Sequence, residues 1–340
     1  SLRMLRNRYP KAHIALLVDE KFYEVAIQFP MVDEVIIYHR DKPQGRLRRY
    51  FKLVKKLRQK RFDISVDFQN TPKTHFLSYG AQVPKRLGYQ KGSLHFLLTS
   101  AQPGFKDPLP PIPHQFRILR SLGLGMGRCD EALELKPSRL AQASADRLFQ
   151  KDERLLIGFA LSASAKWTSK NWSLDSYVRL AKLILNKFEG RIVLLGTADE
   201  ASRADAFLEN FEENSVINLV GQTGIGEMLG VIRQLDLLVG PDSAPLHIAS
   251  AFQVPLIGLF GPTDSRRHAP PGDKKAIFQK SVPCGPCYER ECPIKTQDCM
   301  NLITPDEVFA AAKKMLDARC KMLDSSVASP SSIQYLESSI

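Results

Sequence analysis

An α/β fold is predicted by three features of this 340-residue sequence. Short apolar runs of strand length alternate with longer stretches of helical spacing along the chain, the pattern of parallel strands joined by crossover helices. A hydrophobic content of 44% over this length can bury two substantial cores. Charge splits the chain in two as well: residues 1–150 carry 27 Lys plus Arg against 13 Asp plus Glu, net +14, while the remainder is nearly neutral at −2 within the total of +12. The domains read from this are 1–150 and 151–323, followed by a serine-rich, loose tail at 324–340. No apolar run approaches the roughly 18–20 residues of a membrane span, and no signal-type apolar region stands at the start, so a cytoplasmic protein is expected.

In the N-terminal half, His13 to Val18 and Glu34 to Tyr38 read as strands, and Arg46 to Arg61 (RLRRYFKLVKKLRQKR) as a basic amphipathic helix. Its expected core face is Leu47, Tyr50, Phe51, Val54 and Leu57; Arg48, Arg49, Lys52, Lys55 and Lys56 fall largely elsewhere. A solvated, core-packed helix and a cationic face for an anionic partner both fit this pattern. A strand follows at Ile64 to Phe68, then a basic turn at Lys85 to Tyr89, a rigid loop at Pro108 to Pro113 and a helix at His114 to Leu122. Gly123-Leu124-Gly125-Met126-Gly127 lacks the G-x-G-x-x-G spacing of a dinucleotide loop and reads as a helix-ending turn. The crossover between halves is placed at Glu134 to Arg154.

In the C-terminal half, a strand at Leu155 to Ala160 leads into a small-residue loop, Ser162 to Ser173, and a helix at Leu174 to Phe188 with Tyr177, Leu180, Ala181 and Ile184 at helical spacing. Arg191 to Leu195 is a strand opening into Gly196 to Glu200, and Leu219 to Gly224 is a turn. The most informative stretch is Leu235 to Gly272. A strand at Leu235 to Val239 ends in Gly240-Pro241-Asp242-Ser243, and a helix at Pro245 to Phe252 is expected to be capped by Asp242 or Ser243. A strand at Val254 to Phe260 then ends in Gly261-Pro262-Thr263-Asp264. Loops at the carboxyl ends of parallel strands, one of them opening a helix, aim backbone N–H groups at an anion, so a phosphate-bearing ligand is expected here.

Asp242-Ser243-Ala244-Pro245-Leu246-His247-Ile248-Ala249-Ser250, followed by Phe260-Gly261-Pro262-Thr263, closely resembles family 9 of the glycosyltransferases, the lipopolysaccharide heptosyltransferases, with their D-[ST]-G-x-x-H-x-A-A and F-G-x-T motifs. Ala244 departs from the family's Gly and adds a methyl group beside the nucleotide. The resemblance implies a GT-B architecture, two Rossmann-like domains facing a central cleft, with the terminal helix returning to the N-terminal domain. It implies ADP-heptose as donor, no required cofactor or metal, and transfer with inversion to the anionic Kdo-lipid A core at the inner face of the inner membrane. A monomer is expected, with no nucleic-acid partner.

By the same resemblance Ser164, Ala165, Lys166, Asp242, Ser243, Ala244 and His247 belong to the donor site. Lys170 is aimed at the leaving diphosphate, with Asp242 beside it as the second catalytic candidate, Glu200 at the ribose, and Gly221 and Thr223 at the base. A mobile ammonium suits a departing phosphate, and a carboxylate can accept two ribose hydroxyls. Individually, a solvated loop lysine and a first-turn helix acid are the plain alternatives. Arg48, Arg49, Lys52, Lys55 and Lys56 are expected to meet the acceptor, and Asp67-Phe68-Gln69 and Arg86-Leu87-Gly88-Tyr89 match further family motifs.

The family also has an opening strand and a G-D-x-[LV]-x-x-T-P loop whose Asp is the presumed general base. About twenty residues that would carry them have no counterpart here. Asp19 and Glu20 are the conceivable substitutes. The readings are therefore a fragment of an active enzyme, a catalytically impaired chain, or a nucleotide-sugar-binding protein without transferase activity.

Cys284, Cys287, Cys292 and Cys299 are spaced C-x2-C-x4-C-x6-C, which suits either four Zn²⁺ ligands or reduced buried thiols, while Cys129 and Cys320 stand alone. Thr304-Pro305-Asp306-Glu307 is a capping box that starts a helix expected to reach Leu323.

Overall fold

The computed structural model describes residues 1–39, 45–90, 93–103, 111–125, 133–149, 154–164 and 166–327. Ala165, Cys129, Pro108 to Pro110, Met126, Gly127 and the expected tail from residue 328 onward lie outside these residues.

The N-terminal half runs α1 (Leu2–Arg8), β1 (Ala15–Asp19), α2 (Tyr23–Ala26), β2 (Glu34–Tyr38), α3 (Arg46–Gln59), β3 (Ile64–Val66), α4 (Pro72–Gly80), β4 (Lys85–Tyr89), β5 (Ser100–Gln102) and α5 (Pro111–Leu119). Its strands form two parallel sheets, β1–β2 and β3–β4–β5. The segment Lys85 to Tyr89, expected to be a turn, is strand β4. Leu87 and Tyr89 are buried once β3 and β5 pair on either side, while Lys85 stays exposed at the strand's start. Two basic residues open the strand, and only the neighbouring strands bury the rest of it.

Helix α3 ends at Gln59, short of Arg61, which has φ +51°. Its core face also differs from the expected one. Leu53 and Leu57 are buried against Ile36 of β2 and Leu77 of α4, and Tyr50 and Val54 pack beside them, whereas Leu47 and Phe51 are exposed.

In the C-terminal half, α6 (Arg139–Leu148) precedes β6 (Leu155–Ala160), α7 (Leu174–Lys187), β7 (Gly190–Leu195), α8 (Ala201–Leu208), β8 (Val216–Asn218), α9 (Ile225–Gln234), β9 (Leu237–Pro241), α10 (Ala244–Ala251), β10 (Leu256–Phe260), α11 (Ser265–His268), β11 (Lys275–Gln279), α12 (Asp298–Asn301) and α13 (Pro305–Val327). The strands make one parallel sheet in the order β11-β10-β9-β6-β7-β8. One face packs Ile157, Phe159, Ile192 and Leu194 against Tyr177, Ile184 and Phe207, with Val308 and Leu316 of α13; the other packs Leu156, Val193 and Leu238 against Leu229, Ile232 and Leu246. Both faces are covered, which is why β6, β9 and β10 are buried along their whole length and read as continuous apolar runs.

Helices α6 and α13 both pack against elements of the C-terminal half. Helix α6, assigned to the first 150 residues, packs on α9: a Cβ at Gly230 would collide with the Ala141 carbonyl oxygen, so the helices touch backbone to backbone. Helix α13 extends past Leu323 to Val327, and the contacts of its described side chains follow α7, β9 and β10, with Arg319 Nε donating to Asp236 at 2.7 Å. Its described residues therefore pack on the C-terminal sheet. Its start is as expected, Thr304 and Glu307 forming the reciprocal cap at 2.9 and 3.3 Å. The halves meet through α2, where Glu24 Oε2 accepts the Gly226 N–H in the first turn of α9 at 2.7 Å and Val25 packs against the second core of the C-terminal half.

Candidate functional site

Strand β6 pairs with β7 on one side and β9 on the other, so the chain reverses its direction of winding there. At such a switch point the loops leaving the carboxyl ends diverge and open a crevice. Along this edge the loops after β10, β9, β6, β7 and β8 stand in a row. They carry, in that order, Thr263, Asp242, Lys170, Glu200 and Gly221 with Thr223.

Its centre is a three-loop contact. Lys170 Nζ lies 2.8 Å from Asp242 Oδ2 and 3.3 Å from the Asp242 carbonyl oxygen, and Thr263 Oγ1 donates to the same Oδ2 at 2.8 Å. The ammonium also sits 4.6 Å from the centre of the Trp167 ring. The Lys170 and Asp242 side chains are only 14% and 10% exposed, so the pair is largely withdrawn from water yet reachable from the crevice. A group so placed can exchange its carboxylate partner for a phosphate oxygen at little reorganisation cost.

Contrary to the expectation from sequence, neither Asp242 nor Ser243 caps α10. Asp242 is turned to Lys170, and Ser243 Oγ donates back to the Pro241 carbonyl at 3.0 Å. Ala244, the departure from the family's Gly, is exposed at the start of this helix. His247, on the next turn, is half-buried; burial lowers its pKa below the ordinary imidazole value, with Asp242 opposing and His268 and Lys170 reinforcing the shift. Sequence reasoning missed His268, whose shift has the same direction, burial again first, and whose ring meets Tyr288 edge-on at 5.7 Å. It also missed Thr263 and Trp167 as members of the site; Thr263 stands in the F-G-x-T motif and was the findable one.

On the other side of β6, Glu200 accepts the Thr197 N–H through Oε2 at 2.7 Å, while its Oε1 is buried without a hydrogen-bond partner. Burial raises its pKa above the usual carboxylate value, with Thr197 and Arg203 opposing. Gly221 has φ +70°, and a Cβ there would lie 2.9 Å from Ala198 Cα, so only glycine lets the 219–224 turn close on the Thr197–Glu200 segment. Thr223 is half-buried beside it, the Ser164 carbonyl accepts the Trp167 N–H at 3.0 Å, and Lys166 is exposed.

The cysteine-rich segment buttresses these loops. Ser169 donates to the carbonyl of Glu289 at 2.6 Å, Gln297 to that of Thr168 at 2.9 Å, and the Tyr288 N–H to that of Pro262 at 2.8 Å. Burial and the neighbouring Cys287, Cys284 and Cys292 push the Cys299 thiol up to about 11, whereas backbone N–H groups, Gln297 first, lower Cys292. Among the described residues no three His, Cys, Asp or Glu side chains are gathered in a metal-holding arrangement.

The expected acceptor residues lie apart from this cluster, on α3, where Arg48, Lys52, Lys55 and Lys56 are exposed or nearly so and Arg49 is half-buried. Asp19 Oδ1 accepts the Lys21 N–H at 3.4 Å, and Glu20 is held by His39 at 2.7 Å. Asp67 Oδ1 accepts the N–H groups of Gln69 and Asn70 at 3.0 and 2.8 Å, and its Oδ2 faces the buried His75 at 3.4 Å.

Glu200 yields a signed expectation. Hydroxyl donors bound to Oε1 stabilise the ionised form, so its pKa is lower in the complex than in the free protein. Affinity for a nucleoside is then greatest above the raised free-protein value and falls as pH drops through it. In Glu200→Gln this pH dependence is expected to vanish, measured as the wild-type to variant ratio of adenosine affinities by calorimetry so that other titrations cancel.

The sequence pattern of glycosyltransferase family 9 (heptosyltransferase) matches residues 50–297. Lipooligosaccharide heptosyltransferase 2 of Haemophilus ducreyi is 26% identical over 330 residues, covering 92% of this chain and 93% of that protein. Lipopolysaccharide heptosyltransferase 2 of Salmonella typhimurium is 29% identical over 289 residues, 81% of each. Among solved structures, the Escherichia coli ADP-heptose lipopolysaccharide heptosyltransferase II superposes with a TM-score of 0.74 at 23% identity over 94% of this chain and 93% of that one. A family 9 glycosyltransferase from Veillonella parvula reaches 0.79 at 19% identity over 93% and 91%. These likenesses establish the GT-B fold, two Rossmann-like domains, and with most of the chain inside the family's pattern, this protein belongs to glycosyltransferase family 9, the heptosyltransferases.

Proposed function

We propose that this chain transfers heptose from ADP-heptose to the inner core of lipopolysaccharide, Kdo-lipid A or its heptosylated form. The carrying observation is the Lys170–Asp242–Thr263 contact at the switch point of the C-terminal sheet. In this reading the C-terminal half holds the donor: Lys170, with Ser164, Lys166, Ser243, Ala244 and His247 around it, takes the diphosphate. Asp242 holds Lys170 in place, Glu200 accepts the ribose hydroxyls, and Gly221 and Thr223 border the base. The basic N-terminal half takes the acceptor, and the chain works as a monomer on the cytoplasmic side of the inner membrane.

The reaction is a single displacement. An acceptor hydroxyl oxygen forms the new bond to the anomeric carbon from the face opposite the diphosphate, and the bond from that carbon to the ADP oxygen breaks. The hydroxyl proton passes to a carboxylate base. Charge collecting on the leaving ADP is met by the Lys170 ammonium and the amino-terminal end of α10, so no cofactor is required beyond the donor. A neutral His247 fits beside this cation, since a second full charge there would repel Lys170.

Incubation with ADP-heptose and a Kdo-lipid A acceptor, with mass spectrometry of the lipid, tests the reading. The expected product is heptosylated lipid with inverted anomeric configuration and one ADP released per transfer. ADP binding by calorimetry without any transfer would instead identify a nucleotide-sugar-binding protein.

A further inference from the structure

Helix α3 holds seven Lys and Arg and no acidic residue. Its packing against the rest of the N-terminal half is complete on one side. Leu53 and Leu57 are buried, the Tyr50 hydroxyl donates to the Lys73 carbonyl at 2.6 Å, and Val54 lies 3.0 Å from where a Cβ of Gly80 would stand. Leu47 and Phe51, one turn apart, are left 75% and 57% exposed, beside the exposed Arg48 and Lys55. Phe51 also begins a ladder of rings, Phe51–Tyr50–Phe76–Tyr79, with centroids 6.1, 6.1 and 6.5 Å apart. It ends at Tyr79, 50% exposed, with the Arg86 guanidinium 5.5 Å from its ring centre.

Apolar and aromatic side chains exposed among cations, with no acid on the helix to neutralise them, match one environment: the boundary between lipid headgroups and acyl chains. There the apolar groups leave water while the cations meet lipid phosphates. We propose that the α3–α4 face is a membrane-docking surface, with Leu47 and Phe51 inserted into an anionic bilayer, Tyr79 at its interface, and Arg48, Lys52, Lys55 and Lys56 on the lipid phosphates. This rests on the reading that the acceptor is a membrane-borne lipid, and it adds the residues that enter the membrane. A second copy on the same face would oppose two strongly cationic helices, and a nucleic acid would leave Leu47 and Phe51 in water.

The test is co-sedimentation of the full chain with phosphatidylcholine vesicles with and without phosphatidylglycerol, over a series of salt concentrations. The wild type is expected to bind the anionic vesicles and to keep part of that binding at high salt. Lys52→Glu/Lys55→Glu/Lys56→Glu is expected to abolish attachment by removing the charge attraction. Leu47→Ser/Phe51→Ser, altered only at exposed positions, is expected to lose about tenfold or more in partitioning, about 1.4 kcal/mol, and all of the salt-resistant part. A Phe51→Trp variant is expected to shift its emission to the blue on anionic vesicles and to be quenched by lipids brominated on the acyl chain. Equal binding by wild type and Leu47→Ser/Phe51→Ser, or an indole emission in Phe51→Trp that neither shifts nor is quenched, overturns the insertion. Tighter binding to duplex DNA than to anionic vesicles, or self-association lost in the serine variant, overturns it in favour of those partners. ADP affinity is followed in parallel: its retention with no lipid product, alongside intact vesicle binding, counts against the transfer reading and leaves the docking surface standing.

Discussion

Replacing Lys170 by alanine is expected to weaken ADP binding by about 1.5–3 kcal/mol, the range for a charge-assisted contact, and to lower turnover by about 10² to 10³. The substitution removes more than an attraction. Asp242 Oδ2 accepts from both Lys170 and Thr263, so without the ammonium a carboxylate that is 10% exposed keeps only a hydroxyl partner and stands where the proposed reading puts the diphosphate. A negative charge left in that place repels the ligand as well as lacking compensation. The double variant Lys170→Ala/Asp242→Asn is therefore expected to bind ADP more tightly than Lys170→Ala alone, although less tightly than wild type. Calorimetry on the three proteins decides it: additive losses would mean that the pair does not act as a unit, and unchanged affinity in Lys170→Ala would remove that residue from the site.

The largest effect on stability is expected at Trp172. It is fully buried, its indole N–H donates to the Ile303 carbonyl at 2.9 Å, its ring meets Tyr177 edge-on at 5.0 Å, and its own carbonyl accepts from Arg203. It thus joins the loop that carries Lys170 to the segment before α13. Trp172→Ala is expected to cost about 3–5 kcal/mol from lost packing and the cavity left behind, with the Ile303 carbonyl deprived of its partner in addition. Urea unfolding followed by circular dichroism should show a destabilised transition for the C-terminal half, and saturating ADP should shift that transition upward in both proteins if the donor loops still close. A loss below about 1 kcal/mol would mean that the site relaxes around the gap, contrary to its dense surroundings.

Much of the C-terminal half could be read directly because its strands are covered on both faces. Burial on both sides demands unbroken apolar runs, and Leu155 to Ala160 appears in the structure with the boundaries expected of it. Helix α7 begins where Ser173 can cap it, with Ser173 Oγ accepting the Ser176 N–H at 3.1 Å. In the N-terminal half β1 and β3 are only half-buried along their length, so the apolar signal is weaker, and β4 begins with two basic residues.

The sequence by itself determined the α/β class, the family, the charge imbalance between the halves, and each donor-loop motif as a separate segment, because periodicity, turn chemistry and residue type are local properties of the chain. Only the tertiary structure decided which of those segments touch. Lys170 and Asp242 are 72 positions apart and meet because β6 pairs with β9; Glu24 reaches α9 across 202 positions; and the segment containing the cysteines holds up the loops of the site through backbone carbonyls. Exposure was decided there too. Leu47 and Phe51 share helical spacing with the core residues of α3, but the positions of β2 and α4 leave no surface for them to cover. Spacing records the period of a helix, whereas burial depends on what the rest of the chain places against each face.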